Sequence, residues 1–240
     1  LEETIVDIVF DKLSPIKNMR SIANRASART DSSTTLRRML IDAPQSPSAT
    51  LVLAHGAGAG MDTPFMADFA RELCQHGIEV VRFEFPYMAK LRAEGRRSAP
   101  DRMPALEAAY RDVITKLKKR TRVFIGGKSM GGRVATRIAD SVSVRGVVAL
   151  GYPFHPPKQP ESLRVEHLLS MTTPCLIVQG TRDPFGTQDE VAGFGLPSSI
   201  QLTWLRDGDH SFVPRKSSGR REEENMAEAY AAVLAFIEAH

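Results

Sequence analysis

Cysteine is scarce in this chain. Cys74 and Cys175 are the only two, too few for a disulfide framework and too far apart for a CxxC metal pair. Both sit in apolar stretches, the usual setting of a free cysteine packed as a small hydrophobe. Long apolar runs are missing as well. None approaches the roughly eighteen residues of a membrane-crossing helix, so no membrane span is expected. The opening LEETIVDIVFDKLSP has no basic segment ahead of an apolar one, so no secretory signal is visible and cytoplasmic is the default expectation. Charge of one sign is not in excess to any marked degree. Thirty-two Lys and Arg face 28 Asp and Glu, a net of +4, and the acids are interspersed, so nucleic acid is permitted by this charge and not indicated by it.

What is present fits an ordinary globular domain: 240 residues, 42% hydrophobic and 25% charged. That length suits one domain and buries roughly 70–75% of its unfolded surface, enough for a full core without staples. Residues 1–48 read as an N-terminal extension with possible edge strands at Thr4–Phe10 and Leu36–Ile41. Residues 49–240 form the main unit. There, short apolar runs at Leu51–Ala54, Val80–Phe85, Val123–Ile125, Val147–Leu150, Leu176–Gln179 and Ile200–Leu205 alternate with amphipathic stretches. Helical spacing is clearest over Pro64–Gln75, Pro104–Lys118 and Met226–Ile237, with Thr63 or Asp62 and Asp101 as N-caps of the first two. Buried strands alternating with helices predict an α/β fold, a mostly parallel sheet covered on both faces.

Ligands in such sheets bind at the carboxyl ends of the strands. After Val123–Ile125 comes Gly127-Lys128-Ser129-Met130-Gly131, a G-x-S-x-G between a strand and a helix. In that setting a serine on a sharp turn exposes its hydroxyl, small neighbours let strand and helix close up, and the Met130 N–H faces a developing oxyanion. A phosphate-binding P-loop is the rival, but it needs glycine where Arg122 stands. After Leu51–Ala54 comes His55-Gly56-Ala57-Gly58-Ala59-Gly60, whose Ala57 or Gly58 N–H is the candidate second oxyanion donor. Its dinucleotide rival needs a third glycine at Met61, although Glu84 could imitate a ribose-binding acid.

Asp183 follows the strand at Leu176–Gln179 and His210 the strand at Ile200–Leu205. Ser129, Asp183 and His210 are therefore the candidate nucleophile, acid and base, in the chain order Ser…Asp…His. A hydroxyl becomes a useful nucleophile only when an imidazole removes its proton, and the imidazole needs a carboxylate to hold its tautomer. Asp207 and Asp209 are weaker candidates for the acid. His155, which precedes Asp183, suits a pocket wall or a structural turn. His55, Tyr87, Phe154 and His155 are the candidate substrate contacts, with loop anchoring the competing role of His55.

AHGAGAGMDTPFM, RFEFPY, GGKSMGGR, GYPFHPP, QGTRDPFG and DGDHSF together resemble the small dienelactone-hydrolase-like α/β-hydrolases of bacteria. Eukaryotic relatives of that group include a testis-expressed protein and a subunit of a histone acetyltransferase complex. The resemblance covers about Leu51 to His240. It implies an α/β-hydrolase fold with a mostly parallel sheet of seven or eight strands. It also implies Ser129, Asp183 and His210 as a triad, with Met130 and the His55–Gly60 loop as oxyanion hole. Dienelactone hydrolase itself carries a cysteine nucleophile, so its substrate does not transfer to a chain with Ser129.

The stretch from Gly151 to Cys175 is too short for a large lid domain, and Pro153, Pro156, Pro157 and Pro160 stiffen it. A shallow, open site is expected, suited to small soluble esters or thioesters and needing no metal or organic cofactor. The competing class is a hydrolase-fold binding or scaffold protein. Lys90, Arg92, Arg96, Arg97 and Arg102 form a basic stretch that is either a solvated loop or an attractor for anionic substrates.

Overall fold

The computed structural model describes residues 4–5, 39–117, 120 and 122–240. Eight strands form one sheet in the order β1-β2-β4-β3-β5-β6-β7-β8. They are β1 (Thr4–Ile5), β2 (Met39–Asp42), β3 (Ala49–Ala54), β4 (Ile78–Phe83), β5 (Val123–Lys128), β6 (Gly146–Leu150), β7 (Cys175–Gly180) and β8 (Ile200–Leu205). β1 and β2 pair antiparallel at one edge, and every pair from β4 to β8 is parallel. Of the strand expected over Thr4–Phe10, only Thr4–Ile5 lies within the described residues. The expected strand at Leu36–Ile41 is observed as Met39–Asp42.

Among the described residues seven α-helices pack on this sheet: α1 (Pro64–Gln75), α2 (Pro86–Glu94), α3 (Met103–Lys116), α4 (Met130–Ile138), α5 (Glu166–Leu169), α6 (Gln188–Ala192) and α7 (Glu222–Ala239). Every residue of β3, β4, β6 and β7 is buried, as a parallel sheet covered on both faces requires. One core cluster joins Phe69, Leu73 and Val80 to Val233 and Phe236, under α1 and α7. The other joins Val52, Phe83, Tyr110, Val134 and Leu168, under α2 to α5. α2 was not anticipated, because only Tyr87 and Met88 of it are buried and two points make a faint period. Asp101 does not cap α3, whose N-cap is Arg102. It accepts instead from the Tyr87 N–H at 2.9 Å, in the first turn of α2.

Between β6 and β7 the chain forms only α5 and connecting loop, so this connection carries no lid domain. The parallel strands deliver six loops to one edge: 55–63, 84–85, the turn at Ser129, and those after Leu150, Gly180 and Leu205.

Candidate active site

Ser129 occupies the turn between β5 and α4 at φ 51°, ψ −112°. A non-glycine residue held there costs about 1–3 kcal/mol and persists only where its surroundings over-determine it. Here they do. The Ser129 N–H donates to Leu150 O at 2.9 Å, and Arg133 N–H donates to Ser129 O at 3.0 Å. The turn is closed by backbone contact: a Cβ on Gly127 would lie 2.5 Å from Ala54 O, and one on Gly131 would lie 2.3 Å from the same oxygen. Only glycine lets β3, β5 and α4 approach so closely.

His210 and Asp183 meet across two loops. The His210 Nδ1–H donates to Asp183 Oδ2 at 2.8 Å, which leaves Nε2 as the free, proton-accepting nitrogen. Ser129 and His210 line one cavity of about 460 Å³ together with Gly56 to Gly60, Phe65 and Phe185. The Phe185 ring lies against the His210 ring at 4.2 Å between centroids. Asp183 is fully buried, and its other oxygen accepts from Phe185 N–H at 2.9 Å. The rival acids are occupied elsewhere. The Asp207 carboxylate accepts from Arg215 Nε at 2.9 Å and lies 3.0 Å from Arg182 Nε, which donates to the Asp207 backbone oxygen, and those Arg215 hydrogen bonds pull its carboxyl down to about 2. Asp209 accepts from the Ser211 and Val213 N–H groups, which shapes the loop carrying His210.

The four residues expected to touch substrate lie behind the cavity instead. His55 is fully buried, Tyr87 is 4% exposed, Phe154 fully buried and His155 3% exposed. His55 Nε2 accepts from Phe85 N–H at 3.1 Å, and its Nδ1–H donates to Gly56 O at 2.7 Å. Burial holds this imidazole below its ordinary pKa, hence neutral. The Tyr87 hydroxyl reaches Ala57 O at 2.9 Å and Gly56 O at 3.2 Å. A peptide unit is planar and trans, so its N–H points away from its C=O. Holding the Gly56 and Ala57 carbonyls back into the protein therefore turns the Ala57 and Gly58 N–H groups outward. Both residues line the cavity. Met130 opens α4, so its amide is among the first-turn donors without a helical partner. Phe154 packs on Tyr152 and Phe194. His155 donates from Nδ1 to Pro156 O at 2.8 Å, with Nε2 3.6 Å from Glu190. An aromatic just past a strand end can point either way, and these four point into the core.

One residue of this site, Gln179, was not singled out from the sequence. Gln179 is the one polar residue of β7 before its final glycine, a signal that was available. Its buried amide donates to Asp183 Oδ2 at 2.9 Å and to Tyr152 O at 3.1 Å, while its Oε1 accepts from Tyr152 N–H at 2.7 Å. It thus ties the acid to the loop after β6. A hydrogen bond to a charged group contributes about 1.5–3 kcal/mol. Gln179→Met is expected to lower kcat/KM on a simple ester roughly 10- to 100-fold while Ser129 stays accessible to covalent reagents. Unchanged kinetics would leave Gln179 a core residue only.

Lys128, just before Ser129, also lines the cavity. Its Nζ donates to His210 O at 2.7 Å and lies 5.6 Å from the Phe65 ring centre. Burial pulls this ammonium from an ordinary 10.5 down to about 8, against the opposing pull of Asp183 and Asp209. Between those values the unfolded chain holds the proton and the folded one releases it, so stability rises with pH across that window. Relative to Lys128→Met, the wild type is expected to gain unfolding free energy on going from below about 8 to between about 8 and 10.5. Urea unfolding of both proteins at two pH values measures this; a falling difference would be contrary to it.

Two members of the basic stretch are paired, while Arg96, Arg97 and Arg102 are exposed. Arg92 pairs with Glu84 at 2.5 Å and Asp62 at 2.9 Å, and Lys90 lies 3.9 Å from Glu94. Arg92 and the buried Arg82, which donates to Met61 O at 3.1 Å and to Asp42, hold the end of the 55–63 loop. Among the described residues no cluster of three His, Cys, Asp or Glu side chains could hold a metal ion, and no helix is long and apolar enough to cross a membrane.

The alpha/beta hydrolase domain family matches residues 47–238. The chain belongs to that family. Among solved structures it is similar to an α/β serine hydrolase without lid from Xanthomonas campestris, at TM-score 0.64 and 18% identity over 82% of this chain and 88% of that one. An α/β serine hydrolase homologue from Coxiella burnetii gives 0.64 and 20%, over 81% and 91%. A dienelactone hydrolase from Anabaena variabilis gives 0.61 and 22%, over 83% and 89%. These likenesses show the alpha/beta hydrolase fold.

Proposed function

We propose that this alpha/beta hydrolase cleaves small soluble carboxylic esters or thioesters through an acyl-enzyme on Ser129. The observation that carries the reading is the Asp183–His210 hydrogen bond at 2.8 Å, with His210 and Ser129 on the wall of one cavity. Ser129 Oγ attacks the substrate carbonyl as His210 Nε2 takes its proton. Asp183 accepts from Nδ1–H and stabilises the imidazolium. The tetrahedral oxyanion lies among the N–H groups of Met130 and Ala57, with Gly58 beside them. Collapse breaks the bond to the leaving alcohol or thiol, which receives the proton from His210. Water then attacks the acyl group with His210 as base, and Ser129 leaves with the proton restored. The Met130 and Ala57 donors follow from where each amide sits, at the start of α4 and opposite a pinned carbonyl.

The cavity volume of about 460 Å³ and the short connection from β6 to β7 favour small substrates, because long acyl chains need a large apolar enclosure. Steady-state hydrolysis of p-nitrophenyl esters tests this. Short acyl groups of about two to four carbons are expected to give higher kcat/KM than chains of about twelve. Efficient turnover of the long chains in preference to the short would overturn the small-substrate reading.

A further inference from the structure

A second cavity of about 810 Å³ runs between α1 and α7, and Phe65 and Ser211 line both it and the catalytic cavity. The two therefore adjoin at those residues, and Ser211 is the neighbour of His210. In acyl transfer the departing atom must lie beside the histidine that protonates it. A substrate seated for reaction at Ser129 thus extends its leaving group, not its acyl group, toward Ser211 and this groove.

The groove has the chemistry of a cation site. Tyr230 and Phe65 supply aromatic faces, and Asp68, Glu72, Glu222 and Glu223 supply carboxylates. Arg71 and His76 line the groove too, and each is matched there: Asp68 is paired with Arg71, and Glu72 lies 3.7 Å from His76. Glu222 and Glu223 have no cationic partner among the described residues. First-turn acids also favour a helix start, but these two face the groove as well. Burial first, then the negative field of Asp68, Glu72 and Glu222, pushes the Tyr230 phenol up to about 12. Carboxylates around an aromatic ring attract organic cations through charge and through the ring quadrupole.

We infer that the α1–α7 groove is a leaving-group subsite, selecting esters or thioesters whose alcohol or thiol portion carries a positively charged end. The inference rests on the hydrolase reading above. It is tested with acetate esters of ω-trimethylammonio alcohols against their uncharged tert-butyl isosteres, with spacers of increasing length. Once the spacer spans Phe65, kcat/KM for the cationic ester is expected to exceed that of its isostere roughly 10-fold. Both leave the same acetyl-enzyme, so where deacylation limits turnover kcat is equal across the pair. The ratio is expected to fall toward one in Glu222→Gln/Glu223→Gln and to invert below one in Glu223→Lys.

A ratio near one at every spacer in the wild type, or one that survives the double substitution, would overturn the subsite. Calorimetry on Ser129→Ala with the same ester pairs separates the two readings. Tighter binding of the cationic member without turnover by the wild type leaves the subsite standing and sinks the hydrolase reading. Turnover of both members alike does the reverse, and neither turnover nor preferential binding sinks both.

Discussion

Ser129→Ala is expected to lower kcat on a short ester by about 10⁶-fold, and His210→Ala by a similar factor. The two groups act as one unit: the hydroxyl is a weak nucleophile until Nε2 accepts its proton, and the imidazole has no other covalent chemistry to perform. Combining the substitutions should therefore cost little more than either alone, with the remaining catalysis supplied by the backbone amides and by binding. Stability separates from activity here. Ser129 sits at φ 51°, where glycine is at ease and alanine is not. Ser129→Gly should be the more stable of the two inactive proteins, by about 1 kcal/mol. Losses that add fully in the double variant would contradict a shared mechanism, and equal midpoints for the Gly and Ala variants would contradict the strain.

Gly131→Ala is expected to destabilise the protein by about 3 kcal/mol or more, the upper end of what overpacking costs. The added carbon would meet Ala54 O at 2.3 Å, Ala54 C at 2.7 Å and His55 O at 2.8 Å. All three are backbone atoms at the end of β3, so no side chain can swing away. Relief requires α4 to lift from the sheet, which also moves the Met130 amide and the 55–60 loop. A chain of this size should lose roughly 6–12 °C in Tm for about 3 kcal/mol, with activity falling alongside. Gly58→Ala is the control. Nothing lies within 4 Å of a Cβ there, so its Tm should move by less than about 2 °C. Similar losses at both positions would show that the loop, not the elbow contact, limits stability.

The site was legible where chemistry depends on chain order and small residues. Ser129, Asp183 and His210 each follow a strand of a parallel sheet, so placing the strands placed them at one edge. The glycines at 127 and 131 announced the close approach that the structure contains. Direction beyond the strand end was not legible. Tyr87 and Phe154 read equally well as pocket wall or core, and the outcome depends on partners distant in sequence, such as Ala57 O for Tyr87 and Phe194 for Phe154. Their work is to hold loops from behind. Gln179 was legible in principle, since a lone amide in a buried apolar strand must find hydrogen bonds. α2 was not, because two buried residues carry too little period. The groove between α1 and α7 was hidden for another reason: it joins residues from both ends of the main domain.

An activated serine is the property on which the functional reading stands, and labelling with a fluorophosphonate probes it without knowledge of the substrate. Intact mass and peptide mapping should show one phosphonate per chain, on Ser129, formed rapidly near neutral pH. The label should be absent from Ser129→Ala and much slowed in His210→Ala, because only a serine with its base reacts this way. A folded wild-type protein that takes up no label, or one whose label persists in Ser129→Ala, would contradict Ser129 as the nucleophile.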